Sequence, residues 1–153
     1  MVQFQPAAVR FRELMAQSIL VADDDPQILE LVTGILKAEG YDAIAADNGE
    51  DALRLAREKK PSLIFLDIKM PKKDGIEVCK ELKADDATKY IPIVMLSSTG
   101  QLQEIQRAMF HGADSYITKP SDRQRILETV KSALSGPSQN RWLHAKRGQK
   151  SET

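Results

Sequence analysis

Apolar and polar residues fall in blocks along this chain. Five short apolar runs, at 19–22, 42–46, 63–67, 93–96 and 115–118, are separated by stretches in which apolar residues recur every three or four positions. Runs of this length bounded by Gly, Pro, Asn and Asp predict strands, and the stretches between them predict helices. The order reads βαβαβαβαβα. The mostly apolar character of the runs suits strands covered on both faces, as in a parallel sheet.

The helical stretches carry their own start and stop signals. Ile28, Leu31, Val32, Ile35 and Leu36 place an apolar stripe on a first helix, opened by Pro26 at its first turn and ended by Gly40. Asn48 is placed to cap a second helix through Lys59. Ile76, Cys79 and Leu82 mark a third, Ile105 and Met109 a fourth, and Ile126, Val130, Ala133 and Leu134 a fifth with Asp122 near its cap. Short alternating units with right-handed crossovers give an open, doubly wound sheet, in which ligands sit beyond the carboxyl ends of the strands.

Composition narrows the class. At 153 residues, 42% hydrophobic and 29% charged, the chain has the material for one ordinary core. No apolar run approaches the roughly 20 residues a bilayer span needs, and the N-terminus lacks a secretory pattern. Cys79 is the single cysteine, so an intrachain disulfide and a thiolate metal cluster are both excluded, and a cytoplasmic location is expected. The zero net charge hides an asymmetry. Residues 18–134 hold 16 Lys+Arg against 20 Asp+Glu, leaving −4, and the two ends compensate, chiefly the tail with Arg141, Lys146, Arg147 and Lys150 against Glu152. Three regions follow: an N-terminal extension at 1–17, with Phe11, Leu14 and Met15 at helical spacing; a folded domain at 18–135; and a basic, flexible tail at 136–153. Four basic charges in so short a tail are weak grounds for nucleic-acid binding, and no membrane contact is expected.

Residues able to do chemistry gather where strands end. Asp23 and Asp24 follow the first strand, Asp67 ends the third, Ser97 and Ser98 follow the fourth, and Lys119 follows the fifth. Two carboxylates about 4 Å apart repel by roughly 4 kcal/mol at an effective dielectric of 20, so three on one rim call for a cation or a proton. An all-oxygen cluster of this kind is a hard-cation site. Each residue also has a plainer role open to it. Asp25, and less readily Asp24, can serve the positive end of the first helix, Ser97 can cap the fourth helix, and Lys119 can be a surface lysine.

The four motifs ILVADDDP at 19–26, LIFLDIKMPKKDG at 63–75, IPIVMLS at 91–97 and GADSYITKP at 112–120, in this order, closely resemble the receiver family of two-component response regulators. The resemblance covers about residues 18–135. It implies a flavodoxin-like doubly wound (βα)5 fold with a five-stranded parallel sheet, and makes Asp67 the phosphoacceptor. It further implies that Asp24, Asp67 and the Lys69 backbone carbonyl hold Mg²⁺ directly, that Asp23 supports the ion through water, and that Ser97 and Lys119 complete the phosphorylation set. Tyr116 stands where the family has its rotating aromatic, so that Ser97 and Tyr116 form the switch. Met70-Pro71 and Asp74-Gly75 read as turn chemistry holding the backbone at Lys69.

The family resemblance also implies partners. A histidine kinase or histidine phosphotransfer protein supplies the phosphoryl group, and a downstream effector docks on the fourth helix, fifth strand and fifth helix; a homodimer is also allowed. Ser121 replaces the aromatic many receivers have after Lys-Pro, and the following Asp-Arg-Gln-Arg lacks the charge pattern of DNA-binding dimers. Lys69 and Thr99 occupy positions that tune phosphate lifetime in the family. With a complete phosphorylation set and only 19 residues after Leu134, too few for an ordinary helix-turn-helix domain, the chain is read as a stand-alone signal relay, and as no enzyme beyond its own phosphorylation and dephosphorylation. The alternatives are a truncated receiver of a larger DNA-binding or enzymatic regulator and, more remotely, a Mg²⁺-dependent phosphohydrolase. Such a hydrolase would need an acid two residues after its nucleophile, where this chain has Lys69.

Overall fold

The computed structural model describes residues 17–98, 100–119 and 121–135. The expected N-terminal helix, Thr99, Pro120 and the basic tail lie outside the described residues. Five strands and five helices alternate: β1 (Ser18–Ala22), α1 (Pro26–Ala38), β2 (Asp42–Ala46), α2 (Gly49–Lys59), β3 (Leu63–Asp67), α3 (Gly75–Ala84), β4 (Ile93–Ser97), α4 (Leu102–Phe110), β5 (Ser115–Thr118) and α5 (Arg123–Ser135). All strand pairs are parallel, in the order β2-β1-β3-β4-β5. The flavodoxin-like (βα)5 expectation holds.

Period-two alternation sorts the strand residues between two cores. Leu20, Ala22, Ile64, Leu66, Ile93 and Met95 face α2, α3 and α4. Their neighbours Ile19, Val21, Leu63, Phe65, Val94 and Leu96 face α1 and α5. Every residue of β3 and β4 is buried, as is β1 apart from Ser18, whereas the edge strands β2 and β5 keep exposed positions. Among the described residues no helix is long and apolar enough to cross a membrane.

Two apolar residues depart from their expected faces. Leu31 is 43% exposed on α1, whose buried residues are Val32, Ile35 and Leu36. On α4 the buried residues are Ile105 and Ala108, and Met109 is 39% exposed. In both helices the apolar arc is wider than the strip the sheet covers, so the residue at its margin meets solvent.

The caps match their residues. The Asp25 side chain accepts from the Gln27 N–H at 2.9 Å, Asn48 from Asp51 N–H at 2.9 Å, Asp74 from Glu77 N–H at 2.8 Å, and Asp122 from Arg125 N–H at 2.8 Å. Ser97 does not cap α4. The N-cap position there is Gln101, which makes no side-chain cap bond and instead accepts from the Ser98 N–H at 2.6 Å.

Candidate phosphorylation site

The sheet register assembles the site. Ala22 pairs with Leu66 across β1 and β3, so the next residues, Asp23 and Asp67, leave the sheet side by side. Asp67 also pairs with Leu96, and Ser97 with Thr118, which places Lys119 one step beyond the rim. The Lys119 N–H donates to the Ser97 carbonyl at 2.7 Å and fixes that step.

Asp23, Asp24 and Asp67 offer carboxylate oxygens that all lie within 4.8 Å of one another. Asp23 is fully buried and Asp67 is 4% exposed, while Asp24 faces solvent. The Lys119 ammonium bridges the two buried acids, 2.9 Å from Asp23 Oδ2 and 3.1 Å from Asp67 Oδ1. Asp23 Oδ1 accepts from the Asp25 N–H at 2.9 Å, which turns its other oxygen toward the lysine. Asp24 therefore sits between two occupied neighbours: Asp23 holds Lys119 and Asp25 caps α1.

Electrostatics shows what this cluster lacks. Burial pushes the Asp67 carboxyl up, the Asp23 charge pushes it further, and Lys119 pulls it back, leaving it raised from 3.8 to about 7. For Lys119 burial acts downward, but the hydrogen bond to Asp23 and the charges of Asp67 and Asp23 outweigh it, and the net shift is upward. One ammonium between two buried acids, with a third alongside, is too little positive charge. A hard divalent cation on all-oxygen donors fits this deficit.

Ser97 is buried, its hydroxyl donating to the Ile117 carbonyl at 3.4 Å. Lys69 is exposed, and the next residue, Met70, is buried in the core and anchors the loop. Ile68 N–H donates to the Leu96 carbonyl at 3.3 Å, and Gly75 N–H to the Ile68 carbonyl at 2.7 Å, closing the turn that carries Lys69. Tyr116 lies apart from the acids. It is 44% exposed and lines an open groove with Met109, Thr118, Ser121, Asp122 and Arg125. The groove runs along β5 between α4 and α5.

The turn reading of Asp74-Gly75 missed a packing constraint. A Cβ on Gly75 would lie 1.8 Å from the Asp67 carbonyl oxygen, so only glycine lets α3 begin against the end of β3. The Asp-Gly dipeptide after Met-Pro was the available signal.

Residues 19–131 match the family model for the response regulator receiver domain. The chain belongs to that family. Receiver domains are signalling modules that generally bind Mg²⁺ in an acidic pocket and work with histidine kinases or phosphotransfer proteins, and the three aspartates here can hold such an ion. Curated relatives include the DNA-binding dual master transcriptional regulator RpaA of Synechocystis sp., 42% identical over 76% of this chain and 48% of its own length. Another is the polar-differentiation response regulator DivK of Brucella anthropi, 37% identical over 78% of this chain and 98% of its own. This receiver domain thus spans about half the length of RpaA and of MtrA of Mycolicibacterium smegmatis, and nearly all of DivK. Among solved structures, the receiver domain of NtrX from Brucella abortus superposes with a TM-score of 0.72 at 34% identity, covering 76% of this chain and 98% of that one.

Proposed function

We propose that this receiver accepts a phosphoryl group on Asp67 from a phosphohistidine of a histidine kinase or phosphotransfer protein and relays the signal by switching partner binding. The observation that carries the reading is the Lys119 bridge between two buried acids, 2.9 Å from Asp23 and 3.1 Å from Asp67. An ammonium already on Asp67 is placed to take up charge on an incoming phosphoryl oxygen. In the reaction an Asp67 oxygen bonds phosphorus as the P–N bond breaks, and the electron pair leaves with the imidazole nitrogen. Mg²⁺, when bound, supplies the charge neutralisation this transfer needs, held by Asp24, Asp67 and the Lys69 carbonyl with Asp23 behind them. Asp67 must be ionised to attack, so cation entry and loss of its proton go together.

Ser97 and Tyr116 carry the switch. The Ser97 hydroxyl leaves Ile117 for the new phosphoryl oxygens, and Tyr116 turns inward, changing the groove between α4 and α5 on which the effector docks. Met109 in that groove, with Leu102 and Phe110 exposed on the same helix, suits a partner with an apolar contact face. The near-complete span of DivK favours a stand-alone relay. A second reading, the receiver of a larger DNA-binding regulator, is favoured by the match to half of RpaA, and the full reading frame of the gene separates the two.

The direct test is intact mass after incubation with acetyl phosphate and Mg²⁺. Wild type gains one phosphoryl group that Asp67→Asn does not, and Lys119→Met gains it far more slowly. An unchanged wild-type mass, or equal labelling of Asp67→Asn, overturns the assignment.

A further inference from the structure

The loop joining β3 to α3 is pressed from a direction that the phosphorylation chemistry does not use. Pro71, Lys72 and Lys73 form a tight turn in which Lys73 N–H donates to the Pro71 carbonyl at 2.8 Å, with Lys72 at φ +70°. A three-residue turn with a central φ near about +75° is the rare, strained form of the γ-turn, and Lys72 is not a glycine. Something outside the turn must hold it. The first residue of α2 is against it: Gly49 N–H donates to the same Pro71 carbonyl at 3.3 Å. A Cβ on Gly49 would stand 1.8 Å from the Lys73 carbonyl oxygen and 2.5 Å from its carbon, both of them backbone. Gly49 does not have a positive φ, so alanine meets no dihedral objection there. Close approach alone demands glycine.

Asn48 holds the helix start that makes this contact. It is buried, and it caps α2 through the Asp51 N–H at 2.9 Å. The loop is thus gripped at two points, by Gly75 against Asp67 and by Gly49 against Lys73. Lys69, whose carbonyl the proposed function gives to Mg²⁺, lies between them in sequence and next to the buried Met70.

We propose that Gly49, on the neighbouring β2–α2 junction, is a positioning residue for the cation site, setting the height of the 68–74 loop through its contact with Pro71 and Lys73. The inference rests on the Mg²⁺ reading of the site given above. A side chain at 49 displaces the loop and moves the Lys69 carbonyl out of register with Asp24 and Asp67. Outer-shell supports of this kind typically change metal affinity by about 10–100-fold.

Mg²⁺ titration by calorimetry tests it on the full chain, together with amide spectra taken without metal. Gly49→Ala is expected to weaken Mg²⁺ binding about tenfold or more and to shift the Lys69 and Met70 amides in the metal-free protein. Val130→Ala truncates the core on the opposite face and serves as the control. It lowers stability but leaves the Kd unchanged, a difference a merely structural role for Gly49 would not produce. Should Gly49→Ala fail to fold, Asn48→Ala loosens the same helix start without adding a side chain at 49. It is expected to weaken Mg²⁺ binding, with Asn48→Ser, which keeps the capping oxygen, restoring it. A folded Gly49→Ala with a wild-type Kd overturns the proposal, as does a wild-type Kd in Asn48→Ala. Wild type that fails to bind Mg²⁺ at all overturns the cation reading itself, a result distinct from unchanged binding in the variants.

Discussion

Asp67 is an acid that folding makes harder to ionise, and this has a measurable sign. Its pKa rises from 3.8 to about 7 in the folded state, chiefly through burial and then through Asp23. A raised carboxyl contributes stability that is complete at low pH and is lost as pH climbs through the folded value. Asp67→Asn removes that dependence. In chelator, the stability of wild type relative to Asp67→Asn should therefore fall by about 2 kcal/mol between roughly pH 5 and pH 8, read from urea denaturation. Parallel pH curves would show that the carboxyl ionises freely. The residues of this site were legible because their types announce chemistry and strand ends are where such folds place it. The Lys119 bridge was not, since a separation of 96 positions between Lys119 and Asp23 carries no distance information. The thiol of Cys79, by contrast, is held away from ionisation: it is buried, burial pushes it up to about 11, and its Sγ lies 3.9 Å from the His111 carbonyl.

Helices and strands were readable wherever period and caps agreed. Asp25, Asn48, Asp74 and Asp122 all cap the helices they precede, because a short side-chain acceptor satisfies free N–H groups whatever the tertiary setting. Periodicity failed at margins such as Leu31 and Met109, where the covering element, not the helix, decides burial. It was also silent about ties between elements. The Lys83 ammonium at the end of α3 donates to the carbonyls of Lys89 at 3.2 Å and Ile91 at 2.7 Å and pairs with Asp114 at 3.2 Å. Asp114 in turn accepts from the Ile93 N–H at 2.8 Å at the head of β4. One lysine thus fastens α3, the entry to β4 and the turn before β5. Lys83→Met keeps the stem and deletes the donor, so it should cost about 1–3 kcal/mol of unfolding free energy without changing the phosphoryl acceptance of Asp67. A variant as stable as wild type would mean that water replaces the ammonium at no cost.

On the scale of the whole molecule, the proposed function puts the phosphorylation chemistry and its readout at different places. The acids gather where β1 and β3 end, at the point where the sheet order reverses, while Tyr116 and the α4–α5 groove lie toward the β5 edge. Ser97 stands between the two, on the last residue of β4 with its hydroxyl on the Ile117 carbonyl of β5. Phosphorylation adds about −1.5 to −2 charge at the rim. Moving a population from 1:99 to 99:1 needs about 5.5 kcal/mol of differential stabilisation, which a few charge-assisted hydrogen bonds involving Lys119 and Ser97 can provide. The route through Ser97 predicts a lopsided response. With beryllofluoride and Mg²⁺ in place of the phosphoryl group, amide shifts should spread from the site into Leu102–Phe110 and Ser115–Thr118 and leave the far end of α2, around Arg57 and Lys59, unmoved. Ser97→Ala should confine the shifts to the rim while beryllofluoride still binds. Shifts reaching α4 equally in Ser97→Ala would remove Ser97 from the route, and shifts spread evenly over both faces of the sheet would replace a directed switch with general tightening of the fold.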